Sequence, residues 1–506
     1  MNYTSSRNTK LHVPSHKAII QGLSSEGGLF TPESIPAFSL EDLQDCSYQK
    51  LAERILSGFL PDFSKGDIHT AVYGAYDSKF DDERIVPLRK IPQGYLMDLW
   101  HGPTSAFKDI ALTILPRLLT TACRMENNTD VISILTATSG DTGKAALEGF
   151  KDVPGTAITV FYPEIGVSTI QKRQMSTTTG KNVEVIALKG NFDDCQRIVK
   201  QATQDKKVLD SLDGVSISSA NSINVGRLVP QIVYYYSSYL QLVKDKEIVL
   251  GDEVSFIVPT GNFGDILAGY LAKESGLPVK KLICASNSNN VLTDFLQTGT
   301  YSIAREFKTT MSPSMDILIS SNLERLLFMM SGYDDAFVMD CMEKLQKENS
   351  YTIPSFLLEK IQEVFAGYWT DEEECAKTIY DTYKESNVLI DPHTSVALSV
   401  CKKYQSEGNN EPCIILSTAS PYKFSKDVLK ALHVESEDGF EAMHTLHKMT
   451  DVPVPANLQT LESLPVRFTR SIEKSQAMDV IAERMKEIVK RFEILHMIFR
   501  NIRNNR

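Results

Sequence analysis

The segment VISILTATSGDTGKAALEGF, Val131 to Phe150, decides how the chain is read. Its first seven residues, apart from Ser133, are apolar or β-branched with no polar alternation, as expected of a strand buried on both faces, the usual setting of a parallel sheet. Small and hydroxylic residues follow, and then a helix-forming run. A strand, a tight loop and a helix in that order leave backbone N–H groups free at the helix N-terminus. Such a terminus suits a carboxylate or a phosphate. An ordinary capped turn reads the same way. The loop is not a Walker A motif, because the run from Gly140 to Lys144 is too short for GxxxxGK[ST].

Outward from this segment the pattern repeats. TAITVFYP (156–163), VEVIALKG (183–190), VSFIVPT (254–260), KLICASN (281–287) and PCIILSTA (412–419) are apolar runs of strand length with helical stretches between them. LEDLQDCSYQKLAERILSGFL (40–60) has helical periodicity. Alternating strands and helices predict an α/β fold with mainly parallel sheets flanked by helices, in which ligands gather at the carboxyl ends of the strands. A second glycine loop, PTGNFGDILAGYLA (259–272), lies in that position. Gly261 and Gly264 allow close approach of the backbone, and successive amides there can cradle a phosphate. The GxGxxG order of a dinucleotide fold is missing. A third stretch, HGPTSAFKD (101–109), places Lys108 behind Phe107 among small residues. Partial burial disfavours an ammonium and leaves an amine able to attack a carbonyl, as in Schiff-base lysines, whereas an isolated lysine is usually a solvated charge. A phosphate nest, an anion-binding helix terminus and a Schiff-base lysine together are what pyridoxal phosphate (PLP) and an amino-acid substrate need.

The bulk numbers narrow the alternatives. The 506 residues suit two or three domains. A net charge of -11 argues against a general nucleic-acid binder. Eight cysteines without a CxxC pair read as reduced, mostly buried thiols, and no zinc spacing occurs. The N-terminal residues carry no secretory apolar run, although their serines and lack of acids resemble a transit peptide. No apolar run is long enough for a membrane span. No metal site is expected: His444 and His447 lack acidic or cysteine partners nearby. His393 reads as a structural or pocket-lining group and His101 as a turn residue. DEEEC (371–375) reads as a helix start with favourable dipole charges. In the tail, basic residues outnumber acidic ones, and Ile481, Met485, Ile488, Phe492, Leu495 and Phe499 form one apolar helical stripe. That stripe suits packing on the body or an oligomer contact.

The same blocks carry a family likeness. YTSSRNTKLHVPSHKAIIQGLSSEGGLFTPESIP, HGPTSAFKD, LTATSGDTGKAA, SANSINVGRLVPQ, VPTGNFGDILAGYLA, DPHTSVAL and STASPYKF occur in this order. To about residue 435 the sequence resembles the threonine synthase family, within the tryptophan-synthase-β-like (fold type II) PLP enzymes. The resemblance implies that Lys108 bonds PLP as a Schiff base and that Gly261, Asn262, Phe263, Gly264 and Asp265 hold its phosphate end, the first four by backbone amides. Phe107 would pack near the cofactor, and Thr418 would hydrogen-bond the ring nitrogen. Thr138, Ser139, Asp141 and Thr142 would receive the substrate's α-carboxylate. Asn221, Ser222, Asn224 and Arg227 would line the substrate pocket, with Arg227 on the substrate phosphate. Where the family often reads Gly-Thr-Ala-His-Pro, this chain reads STASP, with Ser420 at the histidine position, and Ser105 replaces a commoner leucine. Both departures bear on substrate handling.

The implied reaction takes O-phospho-L-homoserine and water to L-threonine and phosphate, the last step of threonine biosynthesis. A PLP-dependent phospholyase releasing 2-oxobutyrate and phosphate is the nearest alternative, and a catalytically silent binding protein on the same scaffold is another. Expected partners are the small substrate alone, with no nucleic acid and no membrane, in a cytoplasmic monomer or homodimer. The expected organisation is an N-terminal α+β domain (1–86), a PLP-binding region (87–435) with its smaller lobe at about 131–220, and a largely helical C-terminal extension (436–506).

Overall fold

The structure is a computed structural model describing residues 1–504. Two mainly parallel sheets dominate it. In the larger, the strand order is Phe365–Trp369, Val279–Ser286, Val254–Pro259, Cys413–Ser417, Gly94–Asp98 and Leu88–Ile91. All neighbours are parallel except the last two, which form an antiparallel hairpin at the edge. In the smaller sheet, Ser471–Ile472, Val183–Leu188, Thr156–Pro163, Val131–Ala137 and Val215–Ser218 are parallel throughout. The runs Val131–Ala137, Thr156–Pro163, Val254–Pro259 and Cys413–Ser417 are buried at every position. Helices on both faces remove water from both sides of these strands, so the sequence there has no alternation to show.

All six apolar runs are strands, with ends displaced by a residue or two. The 40–60 stretch departs from expectation, because its helix begins only at Tyr48. Ser47 ends the preceding turns by accepting the Lys50 amide on its side chain, and a capped start leaves the apolar residues before it in loop. Helix Glu372–Ser386 does begin in the acidic run, with Asp371 as its cap.

In the tail, Ser471–Ile472 pairs with Val183–Leu188, and the amides of Ala187 and Lys189 donate to the Arg470 and Ile472 carbonyls. Ile481, Met485 and Ile488 are buried against Leu135, Phe161 and Leu188 of the smaller sheet. The described part of the stripe therefore packs on the body; Leu495 and Phe499 lie outside the described side chains. All eight cysteines are free, and only Cys46 is not buried. No described helix is long and apolar enough to cross a membrane, and no group of side chains suited to a metal ion occurs among the described residues.

Four carboxyl strand ends position the site. Val131–Ala137 leads into helix Asp141–Phe150, and Val254–Pro259 into helix Gly264–Glu274. Cys413–Ser417 runs on through Thr418, and Gly94–Asp98 leads to the turn before helix Lys108–Leu112.

Candidate functional site

The lysine turn is fastened along the end of Cys413–Ser417. Leu99 N donates to Ser417 O (2.9 Å), Phe107 N to Thr418 O (2.8 Å) and Ser420 N to Ser105 O (3.1 Å). Asp109 closes the turn by accepting from the amide (2.8 Å) and hydroxyl (2.7 Å) of Thr104. Ser105 takes a left-handed φ of 58°, and its hydroxyl donates to Asn457 Oδ1 at 2.9 Å. Asn457 in turn donates to Pro103 O at 2.8 Å.

Held in this way, Lys108 has a side chain 11% exposed. Its Nζ donates to Ser314 Oγ at 3.4 Å, lies 3.9 Å from Asp141 Oδ2 and sits 4.8 Å above the Phe107 ring centroid. Burial lowers its pKa to about 8; Asp141 opposes that shift, while Lys423 and Arg227 add to it. The lysine is therefore partly an amine near neutral pH.

In the SGDTG loop, Gly140 has φ 144°, and a side chain there would meet Gln171 at 2.4 Å. Thr138 is engaged in the loop itself, its hydroxyl accepting the Gly140 (2.9 Å) and Gly143 (2.8 Å) amides. Asp141 is anionic. Burial pushes its carboxyl up, but Lys423 and then Lys108 outweigh that and hold it far below the usual range. Its Oδ1 contacts Lys423 Nζ at 2.6 Å and accepts from Gln171 Nε2 at 2.8 Å. A carboxylate so held repels a substrate carboxylate, which leaves only the Asp141 amide for that purpose. Ser139 and Thr142 are half-buried, and their hydroxyls have no partner among the described residues.

The GNFG loop offers backbone rather than side chains. Phe263 is left-handed (φ 61°) at the head of helix Gly264–Glu274, and its ring packs on Phe365 at 5.7 Å. The carbonyls are tied from outside. Gly261 O accepts from Ser320 Oγ (2.8 Å), and Asn262 O accepts from the amide (3.0 Å) and side chain (3.1 Å) of Asn322. A side chain on Gly261 would come within 2.7 Å of Ser314 O. Asp265 points away from any anion, its Oδ1 accepting from Tyr234 (2.6 Å) and Tyr235 (2.9 Å) while Oδ2 is buried without a partner. Burial raises its pKa to about 6 against the pull of both tyrosines. Only its amide is available at the helix terminus.

The remaining predicted residues separate. Thr418 is 6% exposed, and its hydroxyl is free among the described residues. Arg227 is buried, and burial lowers its pKa to about 10. Its Nη1 donates to Ala220 O (2.8 Å), while Nε is buried unpaired. No carboxylate lies in ion-pair range of it among the described residues. Ser222 accepts from Asn322 Nδ2 at 3.3 Å, and the Asn221 side-chain amide has no partner among the described residues. Asn224 is fully engaged: Oδ1 caps Gly226 N (2.8 Å) and Nδ2 donates to Ile19 O (3.0 Å). It shapes the helix start, and its side chain is buried. Ser420 is buried, with its hydroxyl accepting from Tyr422 N (3.4 Å) and its amide donating to Ser105 O of the lysine turn.

Four residues escaped sequence reasoning. Lys423 is completely buried between Tyr422 and Phe424, the same lysine-beside-aromatic signal that drew attention to Lys108. Ser314 and Asn457 carry no signal in a serine-rich loop and a distant tail. His393, which the sequence reads as a structural or pocket-lining group, orients Ser314 by accepting its amide on Nε2 (3.1 Å), which leaves Nδ1 to donate to Asp391 (2.6 Å). Gln171 carries no sequence signal either.

A buried amine, a set of loop amides at a helix terminus and a Thr418 hydroxyl without a partner among the described residues fit a phosphorylated ring aldehyde. The class this defines is a fold type II PLP enzyme. Residues 81–419 match the family model described as pyridoxal-phosphate dependent enzyme. Residues 2–76 match threonine synthase N terminus, and 394–490 match threonine synthase, C-terminal. The chain belongs to the threonine synthase family. It is 36% identical over 441 residues to threonine synthase of Pseudomonas aeruginosa, covering 85% of this chain and 90% of that one. It is 38% identical over 435 residues to human threonine synthase-like 1, covering 83% of this chain but only 58% of the human protein's length. The PLP-bound threonine synthase of Brucella melitensis superposes with a TM-score of 0.85 at 34% identity, over 96% of this chain and 100% of that one.

Proposed function

We propose that the chain converts O-phospho-L-homoserine and water to L-threonine and phosphate, with PLP anchored on Lys108. The observation that carries this reading is the buried Lys108 amine, 3.9 Å from an ionised Asp141 and at the mouth of two amide-rich loops. When bound, PLP supplies an electron sink for a carbanion at the substrate's Cα.

The chain's own residues do the rest. The amides of Gly261, Asn262, Phe263 and Gly264, with that of Asp265, hold the cofactor phosphate at the positive end of helix Gly264–Glu274. Thr418 donates or accepts at the ring nitrogen without adding charge. Phe107 covers the lysine. Ser139, Thr142 and the amides of the SGDTG loop take the α-carboxylate, with Thr138 and Gly140 setting the loop's shape. Arg227, buried without a counter-anion, supplies a cation for the substrate phosphate, and Asn221 and Ser222 lie beside it. Lys108 Nζ removes the proton at Cα and returns it, because its lowered pKa lets one group act as base and acid near neutrality. The assembly is a monomer or a homodimer. The free cysteines support a cytoplasmic setting. The division into 1–86, 87–435 and 436–506 is supported by the family-model break between 76 and 81. Against it, the model for the C-terminal segment starts earlier, at 394.

The test is a product analysis with PLP-loaded protein and O-phospho-L-homoserine. L-threonine and phosphate in equal amounts are expected, and Lys108→Ala should form neither. A phospholyase would give 2-oxobutyrate, and a silent binding protein would give no product.

A further inference from the structure

Two lysines share one carboxylate in the interior. Lys423 is 0% exposed at its side chain, and Asp141 is 3% exposed. An unpaired ammonium there would be strongly disfavoured, and Lys423 meets Asp141 Oδ1 at 2.6 Å and donates to Thr104 O at 3.1 Å. Lys108 has only the looser 3.9 Å contact with Oδ2. Because ion-pair attraction falls with distance, the closer lysine dominates the carboxylate.

We propose that Lys423 is a positioning residue: by holding Asp141 at short range, it keeps that carboxylate from closing on Lys108 and so leaves Nζ available as a neutral amine. This rests on Lys108 being the cofactor anchor. The Lys423 side chain has no exposed surface and acts through Asp141 and its own charge. The groups facing Lys108 are Asp141 from helix Asp141–Phe150, Lys423, Arg227 from Val225–Leu228, neighbouring Asp109, and the Ser314 hydroxyl. Asp265 on helix Gly264–Glu274 also feels the lysine's charge. Lys423 and Arg227 favour the amine, whereas Asp141 and Asp109 favour the ammonium. Removing Lys423 subtracts a cation and frees Asp141 to approach Lys108. Both changes favour the ammonium.

The cofactor-free full chain tests this. Trace acylation with acetic anhydride at a series of pH values labels only neutral amines, and mass spectrometry of the Lys108 peptide gives the midpoint. The wild-type midpoint is expected near 8. In K423M it should rise by about one pH unit, a change of roughly tenfold in amine fraction at neutral pH. K423R should restore most of it, and D141N should lower it. A K423M midpoint equal to wild type with an unchanged circular dichroism spectrum overturns the proposal. If K423M does not fold, a D141N midpoint at the wild-type value overturns it instead. Borohydride fixation of added PLP on wild-type Lys108 checks the anchor separately. Its failure removes the cofactor role and leaves the midpoints to judge Lys423.

Discussion

Lys108 sits where burial and two cations outweigh two carboxylates, and the net effect brings its pKa to about 8 from 10.5. That corresponds to roughly 3 kcal/mol against the charged form. The neutral fraction therefore increases steeply between pH 7 and 9. Covalent capture of PLP by the cofactor-free protein should speed up about tenfold over that interval and then level off, as followed by the violet absorbance of the Schiff base. Asp265 shows the reverse case. Its folded pKa of about 6 exceeds the unfolded 3.8, so the folded state holds the proton more tightly. Stability from this group is fully present below 3.8 and is lost as pH rises toward 6. Urea unfolding should therefore show Asp265→Asn gaining on wild type between pH 4 and 6, with no further change above pH 7. The sequence singled out Lys108 because an aromatic neighbour and small flanking residues are local features. Asp265 was assigned by resemblance to the phosphate end, but its carboxyl turns to Tyr234 and Tyr235 on another helix, a contact that no spacing encodes.

The loops work by backbone geometry that packing imposes. Gly261→Ala places a methyl within 2.7 Å of Ser314 O, so the strap carrying Ser314 must move. PLP affinity should fall at least tenfold, about 1.4 kcal/mol, in an absorbance titration. At the lysine turn, Ser105 keeps its left-handed backbone with Asn457 bound across it. Asn457→Ala removes that clamp and should cost about 1 kcal/mol of thermal stability with a weaker hold on PLP. Here Ser105 replaces the family's commoner leucine, and its hydroxyl is what meets Asn457. The strands were legible because burial on both faces writes an unbroken apolar run. The 88–98 hairpin and the strand Ser471–Ile472 were not, because strands this short carry no long apolar run. The resemblance puts Thr138 and Asn224 at the substrate, whereas their side chains shape their own loops.

Across the whole molecule, the tail completes the smaller sheet. Deleting residues 466–506 would strip the amides of Ala187 and Lys189 of their partners and bare Leu135, Phe161 and Leu188. The truncated chain should lose soluble yield and bind a hydrophobic dye strongly, whereas an independent appendage would leave both unchanged. The α/β architecture was readable from periodicity. The approach of Asp141 of the SGDTG loop, and of the Ser314 strap that abuts Gly261, to Lys108 was not, because it depends on contacts between segments far apart in sequence.

The most direct test of the function is turnover of O-phospho-L-homoserine in ¹⁸O-water. The account predicts L-threonine labelled in its β-hydroxyl and unlabelled phosphate, since water adds to carbon and the phosphate leaves with its own oxygens. Labelled phosphate with homoserine, or 2-oxobutyrate in place of threonine, would contradict it.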